Sequence, residues 1–176
     1  LSGAMTVAKM GLVICEMIDR GMVQAVVSTG ALMAHGFVEA AGMKHFKYEE
    51  GMDDTALYKA GYDRIYDTLE LERNLDDAEV IVTRVLDSID RNTVLSSRLV
   101  NEKLGEYLYK NVQGRSVLKS AYEKKVPVYV PAFTDSELGL DIGVYNRRAV
   151  SKHEKTFTYN PFHDLEHYTE TVKAQK

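Results

Sequence analysis

The sequence predicts an α/β fold: an open, mostly parallel sheet with helices on both faces. Two observations carry the prediction. Short valine-rich runs at residues 23–27 and 126–130 alternate with longer stretches of helical periodicity. Each run breaks off into small or turn-forming residues, Ser28-Thr29-Gly30 and Pro131-Ala132, after which a helical pattern resumes. No repeat, linker or change of composition divides the chain, so residues 1–176 read as one domain. A domain of that length buries roughly 70% of the surface its unfolded chain exposes.

The elements follow in order. Val7, Met10, Val13, Ile14, Met17 and Ile18 recur at helical spacing, and Gly21 is placed to end that helix. Residues 23–27 form a strand and residues 31–41 a helix closed by Gly42. The stretch "MDDTALYKAG" is a short helix with aspartates at its start, and a brief strand is expected at residues 64–66. Ala78, Ile81, Val82, Val85 and Ile89 mark a helix. Further helices are expected at residues 97–109 and 116–124. Residues 126–130 form a buried strand, with Pro127 near its start and Pro131 closing it. Asp135 or Ser136 caps a helix from Glu137 onward. Asn160-Pro161 opens a last helix running from residue 162 towards 176.

Composition excludes several classes. Hydrophobic residues at 45% and charged residues at 27% rule out a low-complexity or disordered chain. A net charge of −4 without a basic stripe argues against nucleic acid as a partner and slightly favours cationic ligands. No apolar run reaches the length of about 18 residues that a membrane span needs. The single cysteine, Cys15, permits no internal disulfide and fits a reducing compartment, the cytoplasm. Its neighbours Val13, Ile14, Met17 and Ile18 mark it as a buried structural thiol. Leu1 is not a start methionine and the chain stops inside an expected helix, so both ends are expected to continue in a longer protein.

Chemistry is expected where strands hand over to helices. In an open parallel sheet, ligands bind beyond the carboxyl ends of the strands. Free first-turn N–H groups there attract anions such as phosphate. Gly30 allows close backbone approach, Ser28 and Thr29 supply hydroxyls, and Asp135 offers a carboxylate to ribose hydroxyls or an amine. The same residues also serve as ordinary helix caps, and no G-x-G-x-x-G or P-loop is present. Glu137 and Asp141 share a helix face four residues apart and suit a cation, or simply a solvated face. "HDLEH" matches H-x-x-E-H, with His163 and His167 as potential zinc ligands and Glu166 as base, although no third ligand stands out.

Three blocks, "MVQAVVSTGALMAHGFVEA", "AGYDRIYDTL" and "VPVYVPAFTDSELGLDIG", occur in an order that resembles deoxyhypusine synthase, and more narrowly its bacterial deoxyhypusine-synthase-like branch. The resemblance covers nearly the whole chain. It implies a Rossmann-like fold, a homotetramer and an NAD-dependent transferase. In such enzymes NAD takes hydride from spermidine, the four-carbon amine passes to an active-site lysine and then to an acceptor amine, and the resulting imine is reduced. The acceptor is a lysine of translation factor 5A or, in related enzymes, putrescine. Carried over by position, Ser2, Gly3 and Ala4, then Thr29, Gly30 and Ala31, and finally Asp135 are the expected NAD contacts.

The departures are specific. Ala34 and His35 stand where the parent enzyme has two polyamine-binding glutamates, and Leu140 stands where it has a second aspartate, with Asp141 one position later. His35 and Asp141 are therefore the substrate-side candidates, His35 being equally readable as a helix-face histidine. No lysine present matches the reactive one, which the resemblance sets beyond Lys176. Residues 1–176 alone are expected to be inactive, and a non-catalytic nucleotide-binding domain remains an alternative. The resemblance carries no metal, which weighs against a zinc hydrolase at His163, Glu166 and His167.

Overall fold

The computed structural model describes residues 1–174. Fifteen elements follow one another: α1 (Gly11–Asp19), β1 (Val26–Val27), α2 (Gly30–Ala40), β2 (His45–Lys47), α3 (Asp54–Lys59), β3 (Tyr62–Ile65), β4 (Thr68–Leu71), α4 (Arg73–Asp87), β5 (Val94–Leu95), α5 (Ser97–Asn111), α6 (Val117–Lys124), β6 (Val128–Tyr129), α7 (Glu137–Ser151), β7 (Thr158–Tyr159) and α8 (Phe162–Lys173).

Two short parallel ladders form the centre. β1 pairs with β6, Val26 opposite Val128 and Val27 opposite Tyr129. β5 pairs with β7, Val94 opposite Thr158 and Leu95 opposite Tyr159. Side chains of α5 stitch the ladders together: the Val130 N–H donates to Ser97 Oγ (2.8 Å), and Asn101 Nδ2 donates to the Val128 carbonyl (3.3 Å). Around them pack Leu32, Phe37 and Val38 of α2, Val82 and Leu86 of α4, Leu104 and Leu108 of α5, and Leu138 and Ile142 of α7. Each such side chain contributes about 1.5–3 kcal/mol by leaving water. Cys15 is fully buried in this core, and burial pushes its thiol pKa up, as expected of a structural cysteine.

The α/β class and the expected helices are present, but β5 and β7 were not expected, the strand expected at residues 126–130 is reduced to Val128–Tyr129, and three further differences stand out. The first helix begins at Gly11 rather than Val7, because Lys9 adopts φ 61° and breaks it. Val7 still packs inward, at 6% exposure, from the turn before it. The strand expected at residues 23–27 is reduced to Val26–Val27, since its partner offers two residues in register. Backbone bonding extends slightly further, Val26 N–H to the Pro127 carbonyl and Ser28 N–H to the Tyr129 carbonyl, both 2.9 Å. The third difference is an antiparallel sheet of order β2-β4-β3, where only a strand at residues 64–66 was expected. Gly21 (φ 70°) and Gly42 (φ 95°) end α1 and α2 in the left-handed conformation, the role their positions predict. The last two residues of the expected C-terminal helix lie outside the described residues. Among the described residues no helix is long and apolar enough to cross a membrane.

Candidate functional site at the carboxyl edge of the parallel strands

Because β1 and β6 are parallel neighbours, the turns that follow them emerge on the same edge. After β1, Thr29 caps α2: its Oγ1 accepts from the Leu32 N–H (3.3 Å) and donates to the Gly3 carbonyl (2.7 Å). The Leu1 nitrogen donates to the Val27 carbonyl (2.9 Å), so residues 1–3 run beside the end of β1. After β6, Ser136 caps α7, accepting from the Gly139 N–H (3.3 Å) and donating to the Phe133 carbonyl (2.6 Å). Between the two turns lies an open cleft of about 410 Å³ lined by Ser28, Thr29, Gly30, Ala31, Asp135 and Ser136. The first turns of α2 and α7 face it with the positive ends of their dipoles.

Two residues gain a definite reading here. A Cβ on Gly30 would sit 2.1 Å from Ser136 Cβ, so this glycine lets the two helix starts approach each other, a packing role beside any ligand role. Because Ser136 takes the cap, Asp135 is released from it. Its carboxylate is exposed at the cleft and makes no hydrogen bond to any described residue.

The other predicted residues are placed differently. Gly3 reaches the rim through its carbonyl, while Ser2 and Ala4 stay outside the cleft lining. His35 turns away from the cleft towards Glu70. Asp141 is 7% exposed inside α7, and Leu140 takes the open position at 54%. Burial, followed by repulsion from Glu137 and Glu79, raises the Asp141 pKa to about 7. The Glu137–Asp141 pair is therefore not a solvated face. In "HDLEH" it is Asp164 that is engaged, accepting from Ser97 N (2.9 Å), Ser97 Oγ (2.6 Å) and Arg98 N (3.1 Å) to cap α5. His167 Nδ1 lies 2.6 Å from the Tyr129 hydroxyl, and His163 and Glu166 are exposed. Its two histidines and glutamate do not converge on a common point, so the zinc-hydrolase expectation has no assembled site here.

The sequence reading missed His45 and Glu70. They are cross-strand partners on β2 and β4, and with half-buried His35 they form a trio around the buried Glu70 carboxylate. Burial raises the Glu70 pKa, but the hydrogen bond from His35 and the adjacent His45 imidazole outweigh it and lower it to about 2. No short motif joins the three, so only the strand register could have revealed them. A larger cavity, about 530 Å³, opens beside Pro127 and Val128 between α5, α6 and α8. It sits at the amino-terminal end of β6, the end of a parallel strand where ligands are not ordinarily bound.

Fold and rim together define an α/β domain with an open polar cleft at the carboxyl edge of its parallel strands. A family model described as deoxyhypusine synthase matches residues 1–176, and the chain belongs to the deoxyhypusine synthase family. It is 33% identical over 173 residues to a probable deoxyhypusine synthase 2 of Archaeoglobus fulgidus, covering 98% of this chain and 54% of that protein. It is 31% identical over 167 residues to a deoxyhypusine synthase-like protein of Chlorobaculum tepidum, covering 94% of this chain and 47% of that protein. A crystal structure assigned to deoxyhypusine synthase, from Entamoeba histolytica, superposes with a TM-score of 0.70 at 13% identity over 97% of this chain and 50% of that one, a likeness of fold. The chain thus spans about half the length of the curated relatives it matches.

Proposed function

We propose that the protein containing this chain transfers the four-carbon aminobutyl group of spermidine, or of a related polyamine, to an amine acceptor, with NAD as hydride carrier. One observation carries the reading: Thr29-Gly30-Ala31 and Asp135 line a single cleft at the ends of adjacent parallel strands. The donor set fits a dinucleotide. First-turn amides of α2 and α7 suit a pyrophosphate, and the unpaired Asp135 carboxylate suits ribose hydroxyls. The Thr29 hydroxyl, already engaged by Gly3 and Leu32, fixes the shape of the turn. When bound, NAD supplies a hydride acceptor that later returns what it took. The residues of this chain bind and orient it; the reactive lysine belongs, by resemblance, to sequence beyond residue 176.

The acceptor is a protein lysine or a diamine such as putrescine, and the working assembly a cytoplasmic homotetramer. Phe162, Leu165, Tyr168 and Val172 leave apolar surface exposed along α8, which supports burial against further protein. The test is titration of the full-length protein with NAD, then spermidine with and without putrescine, following NADH absorbance and separating the polyamine products. NAD binding with spermidine-dependent NADH formation is expected. Neither cofactor binding nor polyamine turnover would overturn the reading.

A further inference from the structure

The antiparallel sheet meets α2 through three ionisable side chains that lie outside the cleft at the carboxyl edge. Glu70, 1% exposed, lies on the central strand β4. Its partner across the ladder is His45 of β2, so the two side chains share a face. Asp63 of β3 pairs with Glu70 from the other side and adds a second carboxylate to that face. His35 reaches the same point from α2. His35 Nδ1 lies 2.7 Å, and His45 Nε2 3.4 Å, from Glu70 Oε2. The imidazole rings stand edge to face with centroids 5.9 Å apart. One ligand atom from each of the three residues lies within 4.8 Å of the other two.

A buried hydrogen-bonded pair accounts for His35 and one oxygen of Glu70. It leaves His45 unexplained. The His45 side chain is fully enclosed, yet neither ring nitrogen has a hydrogen-bond partner, and Glu70 Oε1 is likewise buried and unpartnered. Buried polar atoms are nearly always paired. A neutral imidazole presents a lone pair, a carboxylate presents several, and here they converge. An alkylammonium would match that charge but needs a channel for its carbon chain, and neither Glu70 nor His45 lines the two cavities described above. A single ion needs no channel. Two imidazole nitrogens with one carboxylate form the donor set of zinc-type centres with an open fourth position. Tetrahedral bonds of about 2.0–2.1 Å put ligand atoms roughly 3.3 Å apart. The His45–Glu70 separation of 3.4 Å already has that value, the 2.7 Å His35–Glu70 contact would lengthen, and the two imidazole nitrogens, within 4.8 Å of each other, would close on the ion.

We propose that His35, His45 and Glu70 bind one divalent transition-metal ion of the zinc type, which fastens α2 to the β2-β4 pair. The proposal departs from the sequence expectation of no metal and stands independently of aminobutyl transfer, so a failed NAD titration leaves it untouched.

The test uses the full-length protein stripped by a chelator and then titrated with Zn²⁺ and with Co²⁺ against a chromophoric competitor. One equivalent of metal per chain is expected, with the visible Co²⁺ absorption of four- or five-coordination and a rise in Tm with Zn²⁺. Glu70→Gln and His45→Asn should each weaken binding at least tenfold, whereas the exposed His163→Ala should bind as the parent does. If the Glu70 variant does not fold, the imidazole-ligand signature of the parent Co²⁺ spectrum and the His45 variant decide. Absence of stoichiometric binding, unchanged affinity in Glu70→Gln and His45→Asn, or stabilisation by putrescine but not by metal would overturn the proposal.

Discussion

Glu70 and Asp141 are both shut away from solvent, at 1% and 7% exposure, yet their surroundings drive them in opposite directions. Glu70 faces two imidazoles, which outweigh burial and hold its pKa at about 2. Burial of Asp141, followed by repulsion from Glu137 and Glu79 with only Arg148 in opposition, takes it to about 7. Near neutral pH one is a buried anion kept charged by its partners, and the other is a carboxyl poised between states. Depth of burial does not set the charge of a carboxylate; the sign of what lies beside it does.

Three substitutions sharpen this contrast. The largest effect is expected at Glu70: Glu70→Ala strands two histidines against a buried face and should destabilise the fold by about 3–5 kcal/mol, read from denaturant unfolding. Asp141→Asn should act in the other direction. The folded-state pKa of Asp141 is raised above its ordinary 3.8. The stability it contributes is therefore full below about pH 4 and is lost as pH rises towards 7. The asparagine variant should match the parent in acid and exceed it by about 2–4 kcal/mol above pH 7. A flat difference between the two unfolding curves across pH 4–8 would mean Asp141 is solvated. The smallest change in stability is expected for Asp135→Asn, within about 0.5 kcal/mol. That variant should nevertheless lose roughly tenfold or more in NAD affinity, the value of a hydrogen bond to a charged group.

The rim was legible in the sequence because its signals are local. Valines ending in Ser-Thr-Gly, and valines ending in Pro-Ala-Phe-Thr-Asp, each announce a strand and the helix cap that follows. Parallel pairing of β1 with β6 then brings the two turns together. The choice between Asp135 and Ser136 as cap could not be read, since both residue types serve equally well. The trio was illegible for the opposite reason. "HFK" and "TLEL" are too short to show a clear period, and His45 meets Glu70 only through ladder register. "HDLEH" was legible and misleading: the spacing is that of a metal motif, but Asp164 is committed to a backbone, His167 lies against the Tyr129 hydroxyl and His163 is exposed.

Asp164 has one more effect, on the order in which the domain is built. The first turn of α5 is completed by a carboxylate 67 residues further along the chain. Until α8 docks, the amides of Ser97 and Arg98 have only solvent, and closing so long a loop is entropically slow. The start of α5, and with it the Ser97 hydroxyl that joins the two ladders through Val130, is therefore expected to lose hydrogen-exchange protection early when the end of the chain is disturbed.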